Sequence, residues 1–248
     1  MIELFGLNLS LYGAIVGICV AFIINRFLDE FENKIKLIDY IFVLISCLLL
    51  GRLFYAIRNP EIFSKFLAIH TGGTRIYGVL AGLFLSSAIV ARYRNLKFLR
   101  VADNLALTLP LAQGVGRFAN FINQELYGFP SELPWAVHIR PENRIRGYET
   151  FSHFHPVFFY EAALNFVLWI IISRLKSARP GIRFAFYLIG YGVIRIITNR
   201  FRLDLLPNMI LDPSDLISAI FILIGIVLLK RLTASNESVN KKASYKNA

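Results

Sequence analysis

Two stretches place basic and amide side chains inside otherwise apolar sequence: GVGRFANFINQELYG at 114–128 and YGVIRIITNRFR at 191–202. In the first, Arg117, Asn120 and Gln124 recur at i, i+3 and i+7, which puts them on one face of a helix. Phe118, Phe121 and Ile122 fall on the other faces. In the second, Arg195, Asn199 and Arg202 step by four and three, again sharing a face, and Tyr191 lies one turn before them. A charged group within a membrane helix is costly, so it faces the bundle interior and pairs or lines a working cavity. A single such arginine reads equally well as snorkelling to an interface or pairing with Glu125 or Glu161. Two arginines with few acidic neighbours leave surplus positive charge, and an anion should complete the site. The planar donor fork of arginine matches phosphate oxygens, which makes a lipid phosphate the nearest candidate.

Other candidates are weaker alone. HTGGTRIYGVLAG at 70–82 has Gly72 and Gly73 before a helix start, where backbone N–H groups can turn toward an anion. Its Gly78 and Gly82 read as close helix packing. HPVFFYEAALN at 155–165 opens a helix with Pro156 in the first turn and carries Tyr160 and Glu161. Glu161 reads as a structural partner for an arginine rather than a catalytic acid. His70, His138, His153 and His155 show no ligand spacing for a metal, and Cys19 and Cys47 lie in apolar runs that argue against a disulfide framework.

The elements that must hold these residues are membrane helices. The 248-residue chain is 56% hydrophobic and only 17% charged, with mean hydropathy +0.57, whereas soluble domains are about a quarter charged. A span needs roughly 20 apolar residues, and seven candidates lie at about 9–28, 38–57, 76–93, 103–122, 156–175, 183–200 and 214–231. The first is not read as a cleavable signal: no Lys or Arg precedes it, it is too long, and Arg26 follows it. Connections after spans one, three and five, with the tail, carry roughly twice the Lys and Arg of the opposite side, so the N-terminus is expected outside and the C-terminus in the cytoplasm. The net charge of +11 is thereby a topology signal, and no nucleic acid partner is expected. The one long connection, about 124–155, reads as a small external cap with a strand or two around WAVHI. The polar, basic residues 233–248 read as a disordered tail. No internal repeat is seen. The expected fold is therefore an all-α integral membrane protein, with seven transmembrane helices and a small extracytoplasmic cap in a membrane domain of residues 1–232.

GVGRFANFINQELYG resembles the signature of the bacterial phosphatidylglycerol–prolipoprotein diacylglyceryl transferases, G-x-G-R-x-x-N-F-I-N-x-E-x-x-G. The resemblance extends to LYGAIVG, LGRLFYA, GGTRIYGVLAG, HPVFFYE and YGVIRIITNRFR, nearly the whole chain. It implies transfer of a diacylglyceryl group from phosphatidylglycerol to the lipobox cysteine thiol of a prolipoprotein signal peptide. Glycerol phosphate is released at the outer side of the bacterial plasma (inner) membrane, with no metal or organic cofactor. It gives substrate-binding roles to Tyr12, Arg117, Asn120, Asn123, Glu125, Gly128, Tyr191, Asn199 and Arg202. Arg117 and Arg195 act at the reacting centre, joined by Tyr77, with Gly72, Gly73, Tyr160 and Glu161 as support.

Three positions depart from the family pattern. Tyr77–Gly78–Val79 stands where a histidine and two glycines are frequent, and Tyr77 would be a poor base near neutral pH. Asn199 stands where the family has an acid, which removes a counter-charge to Arg195. Asp215 corresponds to a glutamine at the start of span seven, or caps that helix. Restoring an acid by Asn199→Glu is expected to preserve or raise activity if the site is otherwise ordinary. These departures leave open a diverged relative with another lipid donor or acceptor, or a non-catalytic phospholipid-binding protein.

Overall fold

Apolar runs of about 20 residues can satisfy their backbone in hydrocarbon only as helices, and helices dominate the computed structural model. It describes residues 2–4, 7–9, 31, 34–57, 59–66, 76–175, 179–203 and 213–246. Among these residues are six α-helices: α1 (Leu37–Ala56), α2 (Ile76–Tyr93), α3 (Phe98–Asn123), α4 (Val157–Arg174), α5 (Ile182–Asn199) and α6 (Pro213–Lys246). Helix α1, helix α4 and Ser214–Ala234 of α6 are long and apolar enough to cross a membrane, with mean hydropathies of 2.1, 1.5 and 2.2. Gly78–Tyr93 of α2 is apolar but shorter. Leu37, Ile41, Ile45 and Leu48 of α1, and Leu216, Ile220, Leu223 and Val227 of α6, are exposed. Such patches are rare on soluble monomers and suit a hydrocarbon solvent. Helices α3 and α5 fall short of a spanning composition, and they are the helices that carry the polar stretches.

Expected spans two to seven each fall on a helix. Span one lies outside the described residues, except for its first residue, Leu9, in a short hairpin of β1 (Ile2–Leu4) and β2 (Leu7–Leu9). Where a disordered tail was expected, α6 continues as helix to Lys246.

The chain divides into two compact units, Ile24–Asn104 and Met1–Ile23 with Leu105–Ala248. In the first, α1 and α2 pack backbone to backbone: a Cβ on Gly82 would sit 2.6 Å from the Ser46 carbonyl oxygen and 2.8 Å from Cys47 Cα. The small-residue spacing is therefore a packing feature.

The second unit contains the 124–155 segment. Strand β3 (Val137–His138), from the alternating run, pairs antiparallel with β4 (His153–Phe154). Tyr127, Ile139, Phe154, Phe158 and Leu203 form the buried core beneath. Tyr127 Oη donates to the Asn143 carbonyl at 2.9 Å and accepts from the Ile145 N–H at 2.6 Å. Glu149 accepts the Gly147 N–H at 2.8 Å, and this bond with its own backbone N–H holds its carboxyl below the usual carboxylate range. A depressed folded-state pKa means the turn's contribution is full above the unfolded value and lost as pH falls through the folded one. A carboxyl NMR titration should find Glu149 titrating below a Glu149-containing peptide; an identical midpoint would refute this.

Candidate functional site

The polar stretch closes on itself at the end of α3. Helix α3 stops at Asn123 because Gln124 adopts φ 54°, and Leu126 follows at φ 57°. This turn lets Glu125 collect two amides: Asn120 Nδ2 donates to Glu125 Oε1 at 2.9 Å and Asn123 Nδ2 at 3.3 Å. The other end of Asn120 accepts Arg117 Nη1 at 3.0 Å. The expected stripe of Arg117, Asn120 and Gln124 does not persist, since i+7 spacing assumes a helix that has already ended. Gln124 turns into the 124–155 segment instead. Its Oε1 accepts the Arg140 N–H at 2.9 Å and Asn143 Nδ2 at 3.2 Å.

Arg117 Nη2 donates to Glu161 Oε1 on α4, and Arg195 Nη1 of α5 lies 3.0 Å from Glu161 Oε2 and 3.2 Å from Oε1. One carboxylate thus holds two guanidiniums from helices far apart in sequence. The Glu161 side chain is 2% exposed, against 17% for Arg117 and 12% for Arg195. The carboxylate is sealed while both cations keep an accessible edge, so an incoming anion meets the arginines first. Among the described residues two guanidiniums meet one carboxylate, and the planar donor fork of arginine is the group that matches phosphate oxygens.

One turn along from the triad lie residues the sequence reading did not single out. Gln113, four before Arg117, donates through Nε2 to Tyr187 Oη at 2.9 Å, and Tyr187 stacks on Tyr191 with centroids 5.7 Å apart. Asn165, four after Glu161, donates to the Glu161 carbonyl at 2.8 Å and is fully buried. The i±4 spacing from each charged residue was the signal available.

The remaining candidates divide clearly. Gly128 donates its N–H to the His155 carbonyl at 2.8 Å and bridges antiparallel to Arg202, so it ties the 124–155 segment to the end of α5. A Cβ there would collide with the Phe201 carbonyl oxygen and lie 2.6 Å from Val157 Cγ2. Gly128→Ala is therefore expected to cost about 1–3 kcal/mol, seen as a lower Tm and faster proteolysis of the 124–155 segment; an unchanged Tm would contradict the contact. Asn199 points to α6, donating to Ser214 Oγ at 2.7 Å and Asp215 Oδ1 at 2.8 Å. Arg200 Nη2 reaches Asp215 Oδ2 at 2.9 Å. Asp215 is therefore more than a helix cap. Tyr160 Oη accepts Trp135 Nε1 at 2.9 Å and lies 3.1 Å from His155 Nδ1. Tyr77 is the second residue of α2, in the other unit; Tyr12, Gly72 and Gly73 lie outside the described residues.

The family model for prolipoprotein diacylglyceryl transferase matches residues 1–231. The phosphatidylglycerol–prolipoprotein diacylglyceryl transferase of Clostridium novyi is 33% identical, covering 97% of this chain and 98% of its own. The enzyme of the same name from Finegoldia magna is 29% identical over 91% and 92%. That of Thermotoga maritima is 30% identical over 85% and 73%.

Proposed function

The chain belongs to the prolipoprotein diacylglyceryl transferase family, and we propose that it transfers the diacylglyceryl group of phosphatidylglycerol to a cysteine thiol of a prolipoprotein. It is an integral membrane protein. The observation that carries the reaction is the pair of arginines gathered on one sealed carboxylate beside the signature turn.

In this reaction the sulfur forms a bond to the terminal glyceryl carbon while that carbon's bond to the phosphate oxygen breaks. The thiol proton is lost, and the phosphate departs as glycerol phosphate with charge gathering on the released oxygen. Arg117 and Arg195 take that phosphate, their donors fixed before the charge develops, the arrangement that lowers such barriers most. Their positive field also favours the thiolate over the thiol. Glu161 spaces the two guanidiniums and prevents their mutual repulsion from splaying them. Asn120, Asn123 and Glu125 lock the turn that fixes Arg117, and Gly128 seats the segment above it. Tyr191 of α5 and Arg202, three residues past its end, border the lipid headgroup, while Asn199 supports that end of α5 through Ser214 and Asp215. Tyr12 and Tyr77 are assigned hydrogen-bonding roles toward substrate, with Gly72 and Gly73 giving backbone support.

The proposed topology is seven spans in the bacterial inner membrane, N-terminus outside, with 124–155 as an outer cap and a lipobox signal peptide as the thiol substrate. The excess of Lys and Arg on alternate connections supports that orientation. The reaction is tested with purified protein, phosphatidylglycerol and a lipobox peptide, following peptide mass and released glycerol phosphate together. A diacylglyceryl mass gain with matching glycerol phosphate is expected; lipid binding without either product would refute transfer.

A further inference from the structure

Strand pairing joins two histidines that sequence spacing leaves apart. His138 of β3 and His153 of β4 are directly opposite in the antiparallel register, and both are exposed. Val137, Ile139 and Phe154 pack into the buried core, so the alternation of a strand sends the two imidazoles to the outer face together. The bonds around the pair define its type. The Ile139 N–H donates to the Ser152 carbonyl at 3.0 Å. The His138 carbonyl accepts Gln124 Nε2 at 3.4 Å, and the His153 carbonyl accepts the Ser131 N–H at 3.1 Å. The histidines are therefore a non-hydrogen-bonded pair, the kind in which opposite side chains approach most closely. Their ring centroids are 5.6 Å apart, with the planes at 69°.

That separation fits two ligands of one metal ion. An ion about 2.0–2.1 Å from an imidazole nitrogen lies about 3.2 Å from the ring centroid, and two such arms at a tetrahedral angle put the centroids about 5.2 Å apart. Small side-chain rotations close the difference. His153 is already oriented, with its Nδ1 2.9 Å from Ser152 Oγ. When Nδ1–H donates to that hydroxyl, Nε2 presents its lone pair, the way an outer partner fixes a metal-binding imidazole. Arg140, the nearest cation in sequence, is held aside: its Nε lies 3.1 Å from Gln124 Oε1 and 3.7 Å from Glu142 Oε1. Among the described residues no third histidine, cysteine or carboxylate joins the pair. Water would complete the shell, and the ion would exchange with solution, unlike one in a closed four-ligand site. Neutral imidazoles suit divalent copper, zinc and nickel, with copper held most tightly. We propose that His138 and His153 form a two-histidine site for a divalent transition-metal ion, which clasps β3 to β4. Each strand has only two residues, so one added cross-link matters to the pairing. The assignment goes beyond the transferase reading and does not depend on it.

Copper binding tests it. Full-length untagged protein in phosphatidylcholine nanodiscs, first stripped with a chelator, is titrated with Cu(II) against a chromophoric chelator. Pulsed EPR then counts the imidazoles on the bound ion. One ion carrying two imidazoles is expected, and Zn(II) should compete for it only at higher concentration. His138→Ala and His153→Ala should each weaken copper binding about tenfold or more, a loss of about 1.4 kcal/mol. Ser152→Ala should weaken it about tenfold, the lower end of what outer partners contribute. With copper at about nine times the dissociation constant, proteolysis of the opened 124–155 segment should slow about tenfold. Both histidine variants should lose most of that protection at the same copper level, which also controls for any action of copper on the protease. Binding at full strength in both variants would put the ion elsewhere on the chain. A single imidazole in the EPR signal, or bound copper without slower cleavage, would mean that no clasp forms. Each of these results overturns the proposal. The EPR count needs no substitution, so a folding defect in a variant leaves the proposal open to refutation.

Discussion

Replacing Arg117 with alanine is expected to lower diacylglyceryl transfer by about 10²–10³-fold or more, the loss typical of one preorganised donor aimed at developing charge. Arg117 is expected to serve twice, gripping the phosphate in the ground state and holding the leaving oxygen as its bond to carbon breaks. The protein should still insert and accumulate. Glu161 keeps Arg195 at 3.0 Å, so the substitution leaves no bare buried carboxylate, the outcome that makes broken buried pairs so destabilising. Arg117→Lys should recover only part of the rate, since a point charge cannot reproduce the two-pronged donor. Glu161→Gln separates binding from orientation. It keeps the shape and removes a negative charge, so phosphatidylglycerol should bind no worse while the arginines lose their common anchor. The expected signature is a fall in kcat without a rise in KM for the lipid. Initial rates against lipid concentration, with membrane-fraction immunoblots for accumulation, measure all three. Full activity in Arg117→Ala would remove the central assignment.

The triad was legible because side-chain spacing survives wherever a helix continues. Arg117 and Arg195 each sat on a polar face of an apolar segment, and Glu161 was the acid available to meet them. Spacing failed where the helix ended. Gln124 is in register with Arg117 on paper, but its left-handed backbone turns it into the 124–155 segment. No Gly or Pro marks that stop. The short strand around Val137 was visible as alternation, because a two-residue period is local. An apolar groove lined by Leu133, Tyr160 and Ile197 was not visible at all, since its lining comes from three segments that only tertiary folding brings together. Gln113 and Asn165 were missed for a simpler reason: an isolated amide in an apolar helix carries little weight until a charged residue is known to lie one turn away.

The pairing of Asn199 with Asp215 reverses the expectation that an acid at 199 would be harmless. The family resemblance puts an acid at the α5 position and an amide at the start of the next helix. Here the amide is on α5 and the acid on α6, and they are hydrogen-bonded at 2.8 Å. The carboxylate–amide pair is kept with its types exchanged. Asn199→Glu alone would therefore set a second carboxylate against Asp215, which is 7% exposed. Among the described residues the cation paired with Asp215 is Arg200, whose side chain is 63% exposed and correspondingly screened. Two like charges about 4 Å apart at an effective dielectric of about 20 repel by about 4 kcal/mol, and proton uptake would relieve part of it. The single variant should thus lose both stability and transfer. Asp215→Asn alone replaces the acid with a near-isostere that still accepts from Asn199, and should be mild. Combining the two moves the carboxylate to α5 and restores one acid facing one amide, so the double variant should recover most of what Asn199→Glu loses. A cycle of the four proteins, read by Tm and by transfer rate, should show coupling at the upper end of the about 0.5–3 kcal/mol seen for contacting residues. Strict additivity, or full activity in Asn199→Glu alone, would mean the two side chains act independently. Recovery would mean that the departures at 199 and 215 are one compensated exchange, which keeps a single carboxylate between the end of α5 and the start of α6.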